Sequence, residues 1–188
     1  MTSGTDQQQV SNAVPAGTWT VDPVHSSVEF QVRNMGIVWV RGIFTNFEGT
    51  VESTGEPGGA RASGTVEVAS LDTRSEQRDQ HLRGADFFDV ESYPQIKFES
   101  TRIEPDDGGL RVVGNLTIKG TTREVQLDAI VQGTVDDPWG NQRVGIEATG
   151  VVNRRDFDLN WDNRTPSGAQ LASDDVRLIL HLGAVKSA

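Results

Sequence analysis

Cysteine is absent from all 188 residues. That excludes disulfides, thiolate metal sites, a cysteine nucleophile and lipid attachment through an N-terminal cysteine. Stability must come from packing. Positive charge is also in short supply, with 17 Lys and Arg against 27 Asp and Glu, and the formal charge of −10 creates an average field that repels nucleic acid and anionic membrane surfaces. No nucleic-acid partner is expected. Apolar runs such as Ile37-Val38-Trp39-Val40 fall far short of the roughly 20 residues of a membrane span, so an integral membrane protein is not expected either. The first basic residue is Arg33, and Met1 to Gly17 is rich in Thr, Ser, Gln and Asn rather than in the basic and apolar residues of a secretory signal. The location expected from this is cytoplasmic.

What is present is alternation. Val28, Phe30 and Val32 alternate with Ser27, Glu29, Gln31 and Arg33, as in a half-buried strand. The rhythm returns at Leu110, Val112, Leu116 and Ile118, at Val125, Leu127, Ala129 and Val131, at Val144, Ile146, Ala148 and Val152, and at Leu178, Leu180 and Leu182. Between these runs lie Glu56-Pro57-Gly58-Gly59, Pro105-Asp106-Asp107-Gly108-Gly109, Lys119-Gly120-Thr121 and Asp136-Asp137-Pro138-Trp139-Gly140-Asn141, all suited to tight turns. Short turns imply antiparallel neighbours. The composition, 35% hydrophobic and 23% charged with 20 glycines, suits a soluble all-β protein rather than a disordered chain.

The length suits one domain. Residues 1–16 lack strand alternation and read as a flexible tail, dispensable for folding, with the domain at 17–188. Thr73 to Gly84 reads as a single short helix, with Thr73 and Glu76 spaced as a capping box and a glycine at its end. Its apolar content is little more than Leu82 and Ala85, so it is expected to lie over an opening or edge. Arg154 to Asp175 reads as a long loop before the last strand. Thr122 to Val135 and Arg41 to Glu52 read as strands of roughly 12 to 14 residues, longer than the usual 5 to 6. Long strands favour an antiparallel barrel of about eight strands over a sandwich, since closure also removes exposed edges.

Enzyme motifs are scarce. His25, His81 and His181 show no helical His-to-His ligand spacing, and no metal is expected. Asp22, His25 and Ser26 are triad types, but one turn crowds them too closely to act as orienter, base and nucleophile. Nucleophile-elbow, Walker-type and dinucleotide motifs are missing. Arg78, His81 and Leu82 share a helical face with Arg74 a turn earlier. That face either holds a ligand's polar head or pins the helix to the barrel rim, and pinning is favoured because buried Arg and His are normally paired. The inward apolar residues Phe30, Val32, Phe44, Phe98, Ile118, Leu127, Ile146, Leu178 and Leu180 read either as plain core or as a cavity lining. Gly42, Gly114, Gly145 and Gly150 are expected to leave internal space.

One set of strings separates these alternatives: Trp19-Thr20-Val21-Asp22-Pro23-Val24-His25-Ser26, Arg41-Gly42-Ile43-Phe44, Arg78-Asp79-Gln80-His81-Leu82, Asp86-Phe87-Phe88-Asp89, Tyr93-Pro94, Lys97-Phe98-Glu99-Ser100, Leu116-Thr117-Ile118-Lys119-Gly120, Asp137-Pro138-Trp139-Gly140-Asn141 and Asn153-Arg154-Arg155-Asp156-Phe157. From Gly17 to Val185 the chain resembles the YceI-like family of lipocalin-like, polyisoprenoid-binding barrels. The resemblance implies a non-enzymatic carrier, store or sensor of a polyisoprenoid or isoprenoid quinone, with a fatty-acid derivative as the alternative ligand and a small enzyme or protein-interaction barrel as rivals. It implies no cofactor beyond the bound lipid, and a homodimer is left open. The chain departs from the family at Asp158, where relatives often carry glycine.

Overall fold

A computed structural model describes residues 13–187. It contains eleven strands: β1 (Gly17–Val21), β2 (Ser27–Asn34), β3 (Val38–Phe44), β4 (Phe47–Ser53), β5 (Ala60–Glu67), β6 (Leu71–Asp72), β7 (Gln95–Asp106), β8 (Gly109–Ile118), β9 (Thr121–Asp136), β10 (Gln142–Asn153) and β11 (Asp175–Lys186), with one helix, α1 (Glu76–Arg83). All pairings are antiparallel. Eight strands close in the order β1-β4-β5-β7-β8-β9-β10-β11, and β11 returns to β1. Closure depends on β11 changing partners along its length. Ala184 to Lys186 pair with β1, whereas Val176 to His181 pair with β2, which leads outward to β3 and β6. The fold is therefore the expected all-β barrel, with three strands outside the closed ring.

Alternation explains the barrel wall. Leu110, Val112, Leu116 and Ile118 on β8 are buried, as are Leu127, Ala129 and Val131 on β9 and Val144, Ile146, Ala148 and Val152 on β10. The hairpins joining β7, β8 and β9 turn through Asp107-Gly108 and Lys119-Gly120, with φ of 31°, 82°, 50° and 75°. Two successive left-handed residues match the twist of the flanking strands, and glycine supplies the second without a Cβ clash. Val14, Trp19, Val51, Ile103, Leu110, Val131, Val144 and Ala184 pack one end of the barrel. The other end is packed by Leu116, Ile118, Val152, Phe157 and Leu159, and by Phe44, Val68 and Leu71 with Phe30, Leu82 and Phe88 against them.

Three boundaries differ from expectation. The segment read as one strand from Arg41 to Glu52 is two, because the chain breaks at Thr45-Asn46 to leave β3 and begin β4. The helix starts later than Thr73: Ser75 is its cap, and the Ser75 hydroxyl accepts from the Arg78 amide at 3.4 Å. Most of the expected tail, residues 1–12, lies outside the described residues, but Val14 is 4% exposed and its carbonyl accepts from Ser53 Oγ at 2.6 Å. Packing thus begins before Gly17.

Candidate functional site

The barrel encloses a cavity of about 230 Å³ that runs from Val14 near one end to Ile96 and Ile118 near the other. Phe44, Phe98, Ile118, Leu127, Ile146, Leu178 and Leu180 line it. They come from six strands and meet because each lies on the inward phase of its own strand. Phe30 and Val32 are not in the wall. The Phe30 ring covers Gly42 instead and packs 5.6 Å from Phe44, centroid to centroid.

The glycines do not act as expected. A Cβ on Gly42 would meet the Phe30 ring at 2.2 Å, one on Gly114 would meet Phe98 at 2.5 Å, and one on Gly150 would meet Leu127 at 2.5 Å. Those three positions are already filled by neighbouring side chains. Gly145 lies between the buried Val144 and Ile146 and so faces outward. With Gly133 and Gly183 it lines a separate hollow of about 440 Å³ beside the 80%-exposed Trp139, which shares no residue with the interior. The interior space instead lies against Gly49 and Gly64, which oppose each other across β4 and β5. Around a Cβ on Gly64 the near atoms are the Glu48 carbonyl at 3.2 Å and the Gly49 Cα at 3.9 Å, with no side chain.

The polar residues singled out in the sequence each have partners within the fold. Arg78 Nε donates to Thr73 Oγ1 and Arg78 Nη2 to the Thr73 carbonyl, both at 2.7 Å. Thr73 in turn donates its amide and hydroxyl to Asp79, which is 3% exposed. His81 Nε2 lies 3.0 Å from Asp86 Oδ2, and the ring stands edge-on to Phe87 and Trp161. Neither Arg78 nor His81 lines the cavity. Ser26 exchanges hydrogen bonds with Gly183 on β11, at 3.2 and 3.0 Å, rather than with His25. Asp22 binds His25 at 2.7 Å and Arg143 at 2.9 Å, and these two partners hold its carboxyl down at about 2. Arg143 also donates to Asp137 at 2.8 Å, which places that carboxyl well below the usual range. The cluster ties the β9–β10 turn to the end of β1. Among the described residues no group of His, Asp and Glu could hold a metal.

One buried charge gave no signal in the sequence. Arg154 is 4% exposed, and its guanidinium donates to the carbonyls of Leu159 at 2.6 Å, Ser173 at 3.0 Å and Ala172 at 3.3 Å. Burial pushes its pKa down, and Asp174 opposes that shift. It anchors the long segment before β11 across the barrel end. Asp158, the departure from the family pattern, has φ 59°, a left-handed position that favours glycine, and accepts from Thr121 Oγ1 at 3.1 Å.

The comparisons agree with this architecture. A UPF0312 protein of Serratia proteamaculans is 39% identical over 165 residues, covering 87% of this chain and 82% of its own. Protein YceI of Escherichia coli is 37% identical over 163 residues, with 86% and 82% covered. Among solved structures, BcnA of Burkholderia cenocepacia superposes with a TM-score of 0.73 at 25% identity, over 87% of this chain and 98% of that one. A polyisoprenoid binding domain from Saccharophagus degradans, implicated in plant cell wall breakdown, shares the fold with a TM-score of 0.66 at 15% identity, over 90% and 98%. The YceI-like domain model matches residues 19–184, and the chain belongs to the YceI-like family.

Proposed function

We propose that the protein binds the apolar tail of a polyisoprenoid or isoprenoid-quinone lipid inside the barrel, as a carrier, store or sensor. The observation that carries this reading is the interior cavity, walled mainly by Phe, Leu, Ile, Val and Ala side chains, with Gly49 and Gly64 in its lining. The polyisoprenoid-binding domain of the same fold supports it. No Arg, Lys or His lines the cavity, so the carboxylate of a fatty acid would find no partner inside, which favours a neutral chain. At about 230 Å³ the cavity is smaller than the roughly 300–1,000 Å³ of usual ligand pockets. A long tail therefore enters by turning the Phe44 and Phe98 rings, or leaves part of its length outside.

The test is a titration with prenyl alcohols of increasing length, followed by tryptophan fluorescence. Affinity rises with each added unit until the cavity is full and then levels off. Flat affinity across the series would overturn the reading. Mass spectrometry of lipid extracted from natively purified protein identifies the ligand.

A further inference from the structure

The β2–β3 hairpin reaches past the barrel wall. Pairing of β11 with β2 stops at Val32, whereas β2 and β3 continue through the rungs Arg33↔Trp39 and Asn34↔Val38. The turn closes with the Ile37 amide donating to the Asn34 carbonyl at 3.1 Å. Its residues Met35 and Gly36 have φ of 52° and 75°. Glycine or asparagine adopts that conformation at little cost, and methionine does not. A strained position thus displays an apolar side chain, 38% exposed, beside Ile37 at 73%, Val38 at 52% and Trp39 at 37%. The base of the hairpin is held in place: Ser173 binds the Arg33 backbone at 3.0 Å on both amide and carbonyl sides, and Asn34 Nδ2 donates to the Leu171 carbonyl at 2.8 Å.

Charge at this tip opposes that of the whole molecule. The chain carries −10, yet Arg33 to Arg41 contains no acidic residue. The guanidinium carbons of Arg33 and Arg177 lie 4.4 and 4.1 Å from the Trp39 ring centroid. Of the carboxylates on adjoining strands, Glu29 is taken by Arg41 at 2.6 Å, and Asp175 precedes Arg177 by two residues. We infer that the hairpin tip docks on the headgroup region of an anionic phospholipid bilayer. Trp39 and the two arginines sit at headgroup depth, and Met35, Ile37 and Val38 reach the acyl boundary. A second copy of the chain suits the tip poorly, because a two-fold contact would bring four guanidiniums together. The inference goes beyond the cavity reading and does not depend on what the cavity holds.

Vesicle flotation of the full chain tests it, with phosphatidylcholine alone and with phosphatidylglycerol added. The parent protein floats with the anionic vesicles and is released by salt. Ile37→Ser with Val38→Ser lowers vesicle affinity roughly tenfold. Arg33→Gln and Arg177→Gln each lower it about fivefold. Met35→Asn suits the left-handed turn, so it raises the melting temperature while weakening vesicle binding. Prenyl alcohol titrations of the tip variants match the parent, which keeps failure here separate from failure of the cavity reading. Three results would overturn the inference: a parent protein that ignores anionic vesicles, tip variants that float as the parent does, or a sedimenting dimer lost in Ile37→Ser.

Discussion

Filling the space beside Gly64 tests whether the cavity is where the ligand binds. Gly64 faces the interior, and a Cβ there would touch only the Glu48 carbonyl at 3.2 Å and the Gly49 Cα at 3.9 Å. In Gly64→Ala the carbonyl yields by a few tenths of an ångström, one methyl is buried at a gain of about 0.8 kcal/mol, and the unfolded chain loses backbone freedom worth about 0.4–1 kcal/mol. Net stabilisation of about 1 kcal/mol raises the melting temperature by about 2–4 °C in a chain of this size. Gly64→Leu places four carbons in the cavity and displaces an equal stretch of ligand, which at about 0.8 kcal/mol per methylene weakens binding by roughly 200-fold. Gly114→Ala is the control. Its Cβ would sit 2.5 Å from the Glu99 carbonyl oxygen and 2.5 Å from Phe98, so it destabilises by about 1–3 kcal/mol. Urea denaturation and prenyl alcohol titration of the three variants give the answer. If Gly64→Leu binds within twofold of the parent, the ligand is not in this cavity.

Three further outcomes follow from the polar clusters. Arg154→Met leaves the carbonyls of Leu159, Ser173 and Ala172 without their donor, and at about 1–3 kcal/mol for each orphaned group it costs at least about 3 kcal/mol in urea denaturation. Arg78→Ala removes two hydrogen bonds to Thr73, so it lowers melting by about 1–2 kcal/mol and leaves prenyl alcohol affinity unchanged; the reverse pattern would assign Arg78 to the ligand's head. Asp22 is held at about 2 by His25 and Arg143 against an ordinary 3.8, and its contribution is therefore present above pH 4 and lost as pH falls toward 2. Arg143→Gln makes the acid limb of a melting-versus-pH curve shallower, and an unchanged limb would refute the linkage.

The barrel strands are readable because their alternation holds over most of each strand, with β9 expected at Thr122 to Val135 and found at Thr121–Asp136, despite a bulge at Gln132. The break between Arg41 and Glu52 does leave a mark in the sequence. Inward positions are even at Gly42 and Phe44 and odd at Phe47, Gly49 and Val51, and a change of phase by one residue marks a break in a strand. The helix cap is ambiguous in the sequence, because Thr73 and Ser75 both carry a hydroxyl and Thr73 stands at capping-box spacing from Glu76. Arg74 at φ 67° turns the chain there, and Thr73 binds Asp79 instead. Arg154 could not be found from sequence. Its carbonyl partners lie five to nineteen positions further along the chain and converge only once the segment before β11 folds back.

The interior shows why glycine content alone does not locate a hole. Gly42, Gly114 and Gly150 each sit on an inward phase, and each is covered by a large side chain from a neighbouring strand, so the missing Cβ is used for close packing. Gly49 and Gly64 are also inward and face one another; Val21 of β1 stands 3.1 Å from a Cβ on Gly49, whereas no side chain stands within 4 Å of one on Gly64. The pairing is set by the Thr54 to Gly59 connection, which closes with the Gly59 carbonyl accepting from the Thr54 amide at 2.9 Å. Shifting that connection by one residue would oppose Gly64 to Glu48 or Thr50 and turn one strand's apolar face outward. The open space beside Gly64 thus depends on the register of one hairpin. Inserting a residue between Pro57 and Gly58 therefore costs cavity volume if the β4–β5 rungs slip, and costs nothing if the loop absorbs it.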